Sequence, residues 1–132
     1  MNRKKRLAEA EWEVMDGVWQ LDRTVTVREV HDRLYPNGEK AYTTVQTIMN
    51  ILVGKGILAK QKIGPVNVYT PIVSREDAAR DETQSLVLRM FEGSFGALAT
   101  YLIDSGELSR EDLNELKALI DAKDREQREG GA

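Results

Sequence analysis

Residues 40–75 read KAYTTVQTIMNILVGKGILAKQKIGPVNVYTPIVSR and contain no aspartate or glutamate, although the 132-residue chain carries a formal net charge of −3. The charges in this stretch are Lys40, Lys55, Lys60, Lys62 and Arg75. A surface that lies against a polyanion excludes carboxylates, because each one repels phosphate. A segment rich in buried residues lacks them too, so the pattern inside the stretch has to decide.

A helix is expected from Thr43 to Lys55. At ~100° per residue, Val45, Ile48, Met49 and Leu52 fall on one side of it, which is the core side. The opposite side carries Thr43, Gln46, Thr47, Asn50 and Gly54, with Thr44 at its flank. Exposed helix faces normally favour Glu and Lys, so a face of hydroxyls and amides is unusual. It suits base edges in a major groove: Gln and Asn can pair in bidentate fashion with adenine, and Thr can hydrogen-bond while its methyl touches the thymine methyl. Gly56 then stops the helix. The runs ILAKQK and VNVYT, joined by Ile63-Gly64-Pro65, alternate as an antiparallel hairpin does, and they carry Lys60 and Lys62 toward phosphate.

Upstream, EAEWEVMDGVWQL has the period of an amphipathic helix. Trp12, Met15 and Trp19 form one edge of its apolar stripe, and Val14, Val18 and Leu21 form the other. The tryptophans could serve as a ligand platform, but on such a helix they read as core. Thr26 and Glu29 are spaced as a capping box for a second helix, on which Val27, Val30 and Leu34 face one way. His31 lies beside that stripe without a visible partner and is assigned no function. Tyr35-Pro36-Asn37-Gly38 ends the helix with strong turn chemistry. Two helices, a recognition-type helix and a hairpin, in this order, describe a winged helix-turn-helix over residues 1–73.

The second part, 74–132, has a net charge of −6 against +3 for the first, so only the first suits a polyanion. Ser74 caps a helix to about Phe91, with Val87, Met90 and Phe91 on one side. After Glu92-Gly93-Ser94 comes a helix with Phe95, Leu98, Ala99, Leu102 and Ile103. Ser109 caps a last one holding Leu113, Leu116, Leu119 and Ile120. A domain this small cannot cover so many apolar stripes, so a second copy is expected against Val87, Met90, Phe91, Phe95, Leu98, Leu102, Leu113, Leu116 and Ile120. The tail DREQREGGA, about 124–132, reads as disordered.

Composition excludes several function classes. With no cysteine and a single histidine there are no disulfides, thiolate nucleophiles or zinc clusters, and no metal or cofactor is expected. Glu9, Glu11 and Glu13 lie two apart on a helix and point in different directions, which is a solvated face rather than a hydrolytic pair. No catalytic set is assigned. No apolar run is long enough for a bilayer, and the basic start MNRKKRL leads into AEAEWEVM, too charged for a signal peptide, so the chain is expected in the cytoplasm. The competing reading of the Thr-rich face is a protein-docking surface.

The segments AEWEVMDGVWQL, TVREVHDRL, AYTTVQTIMNILVGKGIL and VYTP closely resemble the penicillinase-repressor family, the BlaI/MecI type of bacterial transcription repressor, over essentially the whole chain. The resemblance implies a non-enzymatic homodimer whose winged domains each read half of a palindromic operator in double-stranded DNA. It implies control of antibiotic-resistance or related genes, without a small-molecule ligand, and cleavage triggered by a membrane-bound zinc metalloprotease receptor. Carried onto this sequence, it assigns base reading to Thr43, Thr44, Gln46 and Thr47. Asn50 joins them by helical projection alone, and Arg6, Lys40, Lys55, Lys60 and Lys62 form the expected phosphate-binding set. The family's Ser or Thr at the first helix cap is Ala8 here, and Pro65 replaces the wing-tip Arg after Gly64. The absence of C-terminal cysteines removes the copper response of some relatives.

Overall fold

The computed structural model describes residues 6–130. Residues 1–5 of the basic start and 131–132 of the tail lie outside the described residues. The element order is α1 (Glu9–Leu21), α2 (Val27–Leu34), α3 (Tyr42–Gly54), β1 (Leu58–Ile63), β2 (Val66–Pro71), α4 (Arg75–Phe91), α5 (Phe95–Asp104) and α6 (Arg110–Gly130). The chain divides into two compact units, with the boundary between Gln84 and Ser85.

In the first unit, α1, α2 and α3 close on one core through Val14, Met15, Val18, Val27, Val30, Val45, Met49 and Leu52. Trp12, Trp19, Leu21 and Leu34 pack against it while partly exposed, so the tryptophans belong to the core. Gly17 lets α2 approach α1, since a Cβ there would meet Leu34 side-chain carbons at 2.8 Å. The expected capping box holds at α2: Glu29 N–H donates to Thr26 Oγ1 at 3.2 Å, and Thr26 N–H donates to Glu29 Oε1 at 2.9 Å. That backbone donor is the chief reason the Glu29 carboxyl titrates below its ordinary value. At α1, Ala8 offers no hydroxyl, but Glu11 Oε1 accepts the Ala8 N–H at 2.9 Å.

The wing is a two-stranded antiparallel sheet in the register Leu58↔Pro71, Lys60↔Tyr69, Lys62↔Asn67 and Ile63↔Val66. Gly64, at φ 60, opens its two-residue turn and Pro65 follows, the arrangement of a type II′ hairpin. A third short stretch, not read from the sequence, joins this sheet. Val25 bridges Tyr69, with Val25 N–H donating to the Tyr69 carbonyl at 2.8 Å and Tyr69 N–H to that of Val25 at 2.7 Å. One residue of β-bridge between two helices is too short for periodicity to reveal.

The unit boundary lies beyond the expected seam at 73/74. The start of α4 is held by the first core, where Ala78 is buried, and by the ion pairs Arg75–Asp16 and Arg6–Glu82. In the second unit, Ser94 Oγ accepts the Ala97 N–H at 3.0 Å to cap α5. Ser109 and Asp112 exchange reciprocal bonds at the start of α6. The tail expected to be disordered from 124 is helical through Gly130, because α6 continues through strong helix formers with an Asp124–Arg128 pair at i,i+4. Among the described residues no single helix is long and apolar enough to cross a membrane.

Candidate nucleic-acid interface

Helix α3 buries Val45, Ile48, Met49 and Leu52, the four residues its period assigns to the core. Thr43, Thr44, Thr47 and Asn50 are exposed on its outer side, and Gln46 is half-buried. Thr47 Oγ1 donates back to the Thr43 carbonyl at 2.9 Å, which leaves its oxygen free to accept. No side chain caps α3 at Ala41, and its first turn holds no acid, so the positive end of its dipole is unopposed there.

Two interactions position this helix that the sequence did not disclose. His31 Nε2 lies 2.7 Å from the Lys40 carbonyl, so its N–H ties α2 to the turn before α3. The Arg28 guanidinium lies 5.0 Å from the Tyr42 ring centroid and stands at the N-terminal end of α3. Arg28 has the chemistry of a phosphate ligand. It was missed because it lies outside the carboxylate-free stretch, on a helix that reads as ordinary scaffold.

The five expected phosphate-binding cations separate by partner. Lys55 Nζ lies 2.6 Å from Glu11 Oε1 and 2.7 Å from the Arg6 carbonyl oxygen, with its side chain 20% exposed. It closes the C-terminal end of α3 onto α1, and the phosphate assignment does not fit that place. Lys40 lies 3.5 Å from Glu13 and over the Tyr35 ring. Glu13 also accepts the Tyr35 hydroxyl, and that bond above all lowers its carboxyl below the ordinary value. Arg6 pairs with Glu82 at 3.2 Å. Lys60 and Lys62 project from β1 with no carboxylate within ion-pair distance among the described residues. Lys60 Nζ instead lies 3.0 Å from Asn50 Oδ1, which also accepts the Tyr69 hydroxyl at 3.1 Å. Of Glu9, Glu11 and Glu13, expected on a solvated face, Glu11 is instead buried against Lys55, and Glu13 accepts the Tyr35 hydroxyl.

The second unit presents apolar side chains outward. Val87 is buried and Phe91, Leu98, Leu113 and Leu116 are half-buried, whereas Met90, Phe95, Leu102 and Ile120 are exposed. Leu88, Tyr101, Ile103 and Leu119 add to that exposed set.

The penicillinase repressor of Bacillus licheniformis is 28% identical over 121 residues, covering 92% of this chain and 94% of that protein. The methicillin resistance regulatory protein MecI of Staphylococcus aureus is 20% identical over 122 residues, 92% of this chain and 98% of its own length. Among solved structures, the monomeric form of Bacillus licheniformis BlaI in complex with the blaP half-operator is 33% identical. That match covers 55% of this chain and 88% of the other, with a TM-score of 0.46. The model of the family described as penicillinase repressor matches residues 7–122, and the chain therefore belongs to the penicillinase-repressor family of non-enzymatic transcription regulators.

Proposed function

We propose that this protein represses transcription as a homodimer on a palindromic operator, each first unit reading one half-site. The observation that carries the reading is the outer face of α3. Hydroxyls and amides stand there without a carboxylate, beside a wing whose Lys60 and Lys62 have no acidic partner among the described residues. Thr43, Thr44, Gln46 and Thr47 read base edges in the major groove, while Lys60, Lys62 and Arg28 meet phosphate. Arg6 and Lys40 sit in partly exposed ion pairs, which are weak enough to exchange for phosphate.

Dimerisation falls to the second unit. Phe95, Leu102 and Ile120 are 54%, 43% and 59% exposed, and helices α5 and α6 bury no residue. Helices that leave such side chains in water gain by covering them with a second copy. Two linked half-site interactions make the second effectively intramolecular, which raises affinity by ~10²–10⁴. Cleavage of the chain between the two units would abolish that gain, so proteolysis downstream of a membrane-bound zinc metalloprotease receptor is a sufficient off-switch. The place of action is the cytoplasm.

The test begins with selection of duplexes from a randomised library by the full-length protein. Affinity is then measured against salt, and mass by sedimentation. A palindromic consensus, a dimer and a steep salt slope are expected. Binding that ignores salt would instead make the α3 face a protein-docking surface.

A further inference from the structure

Asn50 stands on the outer face of α3, where projection assigns it to a base. Its acceptor is already engaged. Oδ1 receives Lys60 Nζ at 3.0 Å and the Tyr69 hydroxyl at 3.1 Å, which uses both lone pairs. A bidentate pair with adenine needs that oxygen to accept from the base, so the arrangement opposes base reading.

The two donors come from a fixed frame. Tyr69 is fully buried, and its backbone is bonded both ways to Val25. Burial raises the Tyr69 phenol above its ordinary value, so the hydroxyl remains a donor at neutral pH. Lys60 faces Tyr69 across the sheet, and its ammonium lies 5.8 Å from the ring centroid. An ammonium has three donors, so the bond to Asn50 leaves two for another acceptor. Without that bond, the lysine stem would sample many rotamers.

We propose that Asn50 is a positioning residue that locks the wing's Lys60 against α3, so that helix and wing present one preformed corner to a DNA phosphate. The inference rests on the DNA-binding reading above and changes the role of one residue within it. Residue type supports it as well. Aspartate could accept the same two bonds, but it would cancel the Lys60 charge and repel phosphate, whereas asparagine holds the lysine and leaves its charge free.

The experiment uses the full-length chain, the duplex that the wild type selects, and a random duplex, between 50 and 200 mM salt. The variants are Asn50→Ala, Lys60→Ala, the double variant, Asn50→Asp and Tyr69→Phe. Asn50→Ala should weaken both duplexes by the same factor, roughly 3- to 10-fold, the scale of one ordinary intramolecular hydrogen bond. The double variant should bind no more weakly than Lys60→Ala alone, and the half-site reselected by Asn50→Ala should match the wild type. Tyr69→Phe, which keeps the buried ring, should act in the same direction on both duplexes. Asn50→Asp should lower the salt slope as Lys60→Ala does, by about 0.9 for each phosphate no longer neutralised. Unfolding midpoints separate any loss of fold from loss of binding. Relaxed preference at one base pair in Asn50→Ala, or additive losses in the double variant, would overturn the positioning role. Failure of the wild type to select any duplex would refute the DNA reading itself, and this inference with it.

Discussion

Replacing Lys55 by methionine tests whether the C-terminal end of α3 is scaffold or interface. The substitution keeps most of the apolar stem and removes the ammonium. What remains is the Glu11 carboxylate, 9% exposed and bonded only to the Ala8 N–H, together with an Arg6 carbonyl that has lost its donor. Breaking a fully buried pair costs about 3–5 kcal/mol, whereas an exposed pair is worth about 0–1. Lys55 is one-fifth open and Glu11 keeps one bond, so the loss should fall near 2–3 kcal/mol. Urea unfolding followed by tryptophan fluorescence reports on the first unit, since Trp12 and Trp19 both lie in α1. With a slope of roughly 1–3 kcal/mol/M, the midpoint should drop by about 0.7–3 M. Adding Glu11→Gln should restore most of the loss, because a neutral amide still accepts from Ala8 and leaves no orphaned charge. The salt slope of DNA binding should stay at the wild-type value. A slope lowered by about 0.9 per phosphate, with stability unchanged, would return Lys55 to the phosphate-binding set and refute this argument.

Gln46→Ala and Thr47→Ala should each reduce binding to the selected duplex by about 1–3 kcal/mol of discrimination while random DNA is bound almost as before, measured by competition gel shift. Lys62→Ala should do the reverse, weakening both duplexes alike and lowering the salt slope by about 0.9 per phosphate. Ile120→Asp, placed on the exposed apolar side of α6, should yield a monomer by sedimentation that still shows native tryptophan fluorescence. Glu13 and Glu29 both titrate below their ordinary value in the folded protein, so the unfolded chain binds protons more readily as acid is added. Stability should therefore be lost as pH falls from about 5 through the lowered folded values. Glu29→Gln, which can still accept from Thr26, should flatten part of that decline in unfolding midpoint against pH.

How much of this could be read in advance depended on where each side chain finds its partner. Val45, Ile48, Met49 and Leu52 were assignable because helical period alone sorts a residue inward or outward, and all four are buried. The Thr26–Glu29 cap and the Gly64-Pro65 turn were equally readable, since their partners lie within three residues. Interactions between distant segments left no such trace. The Val25–Tyr69 bridge joins the α1–α2 connection to the wing, the His31–Lys40 tie crosses a turn, and Asn50 is engaged by a wing residue beyond the end of its own helix. Helical projection placed Asn50 correctly outward, but it cannot tell an amide facing DNA from one facing its own wing.

The carboxylate gap at residues 40–75 has two causes, and the structure separates them. Lys55 and Arg75 meet Glu11 and Asp16, both on α1. These cations answer acids that the gap excludes only because they lie earlier in the chain, so they would persist in a protein that never touched DNA. Among the described residues Lys60 and Lys62 have no such acid within ion-pair distance, and Lys60 is steadied by an uncharged amide. Under the proposed reading, contact with a polyanion therefore falls to the wing and the first turn of α3 rather than to the whole stretch. A neutralising substitution distinguishes the two causes: removing Lys60 or Lys62 should change salt dependence without changing the unfolding midpoint. Removing Lys55 should change the midpoint without changing salt dependence.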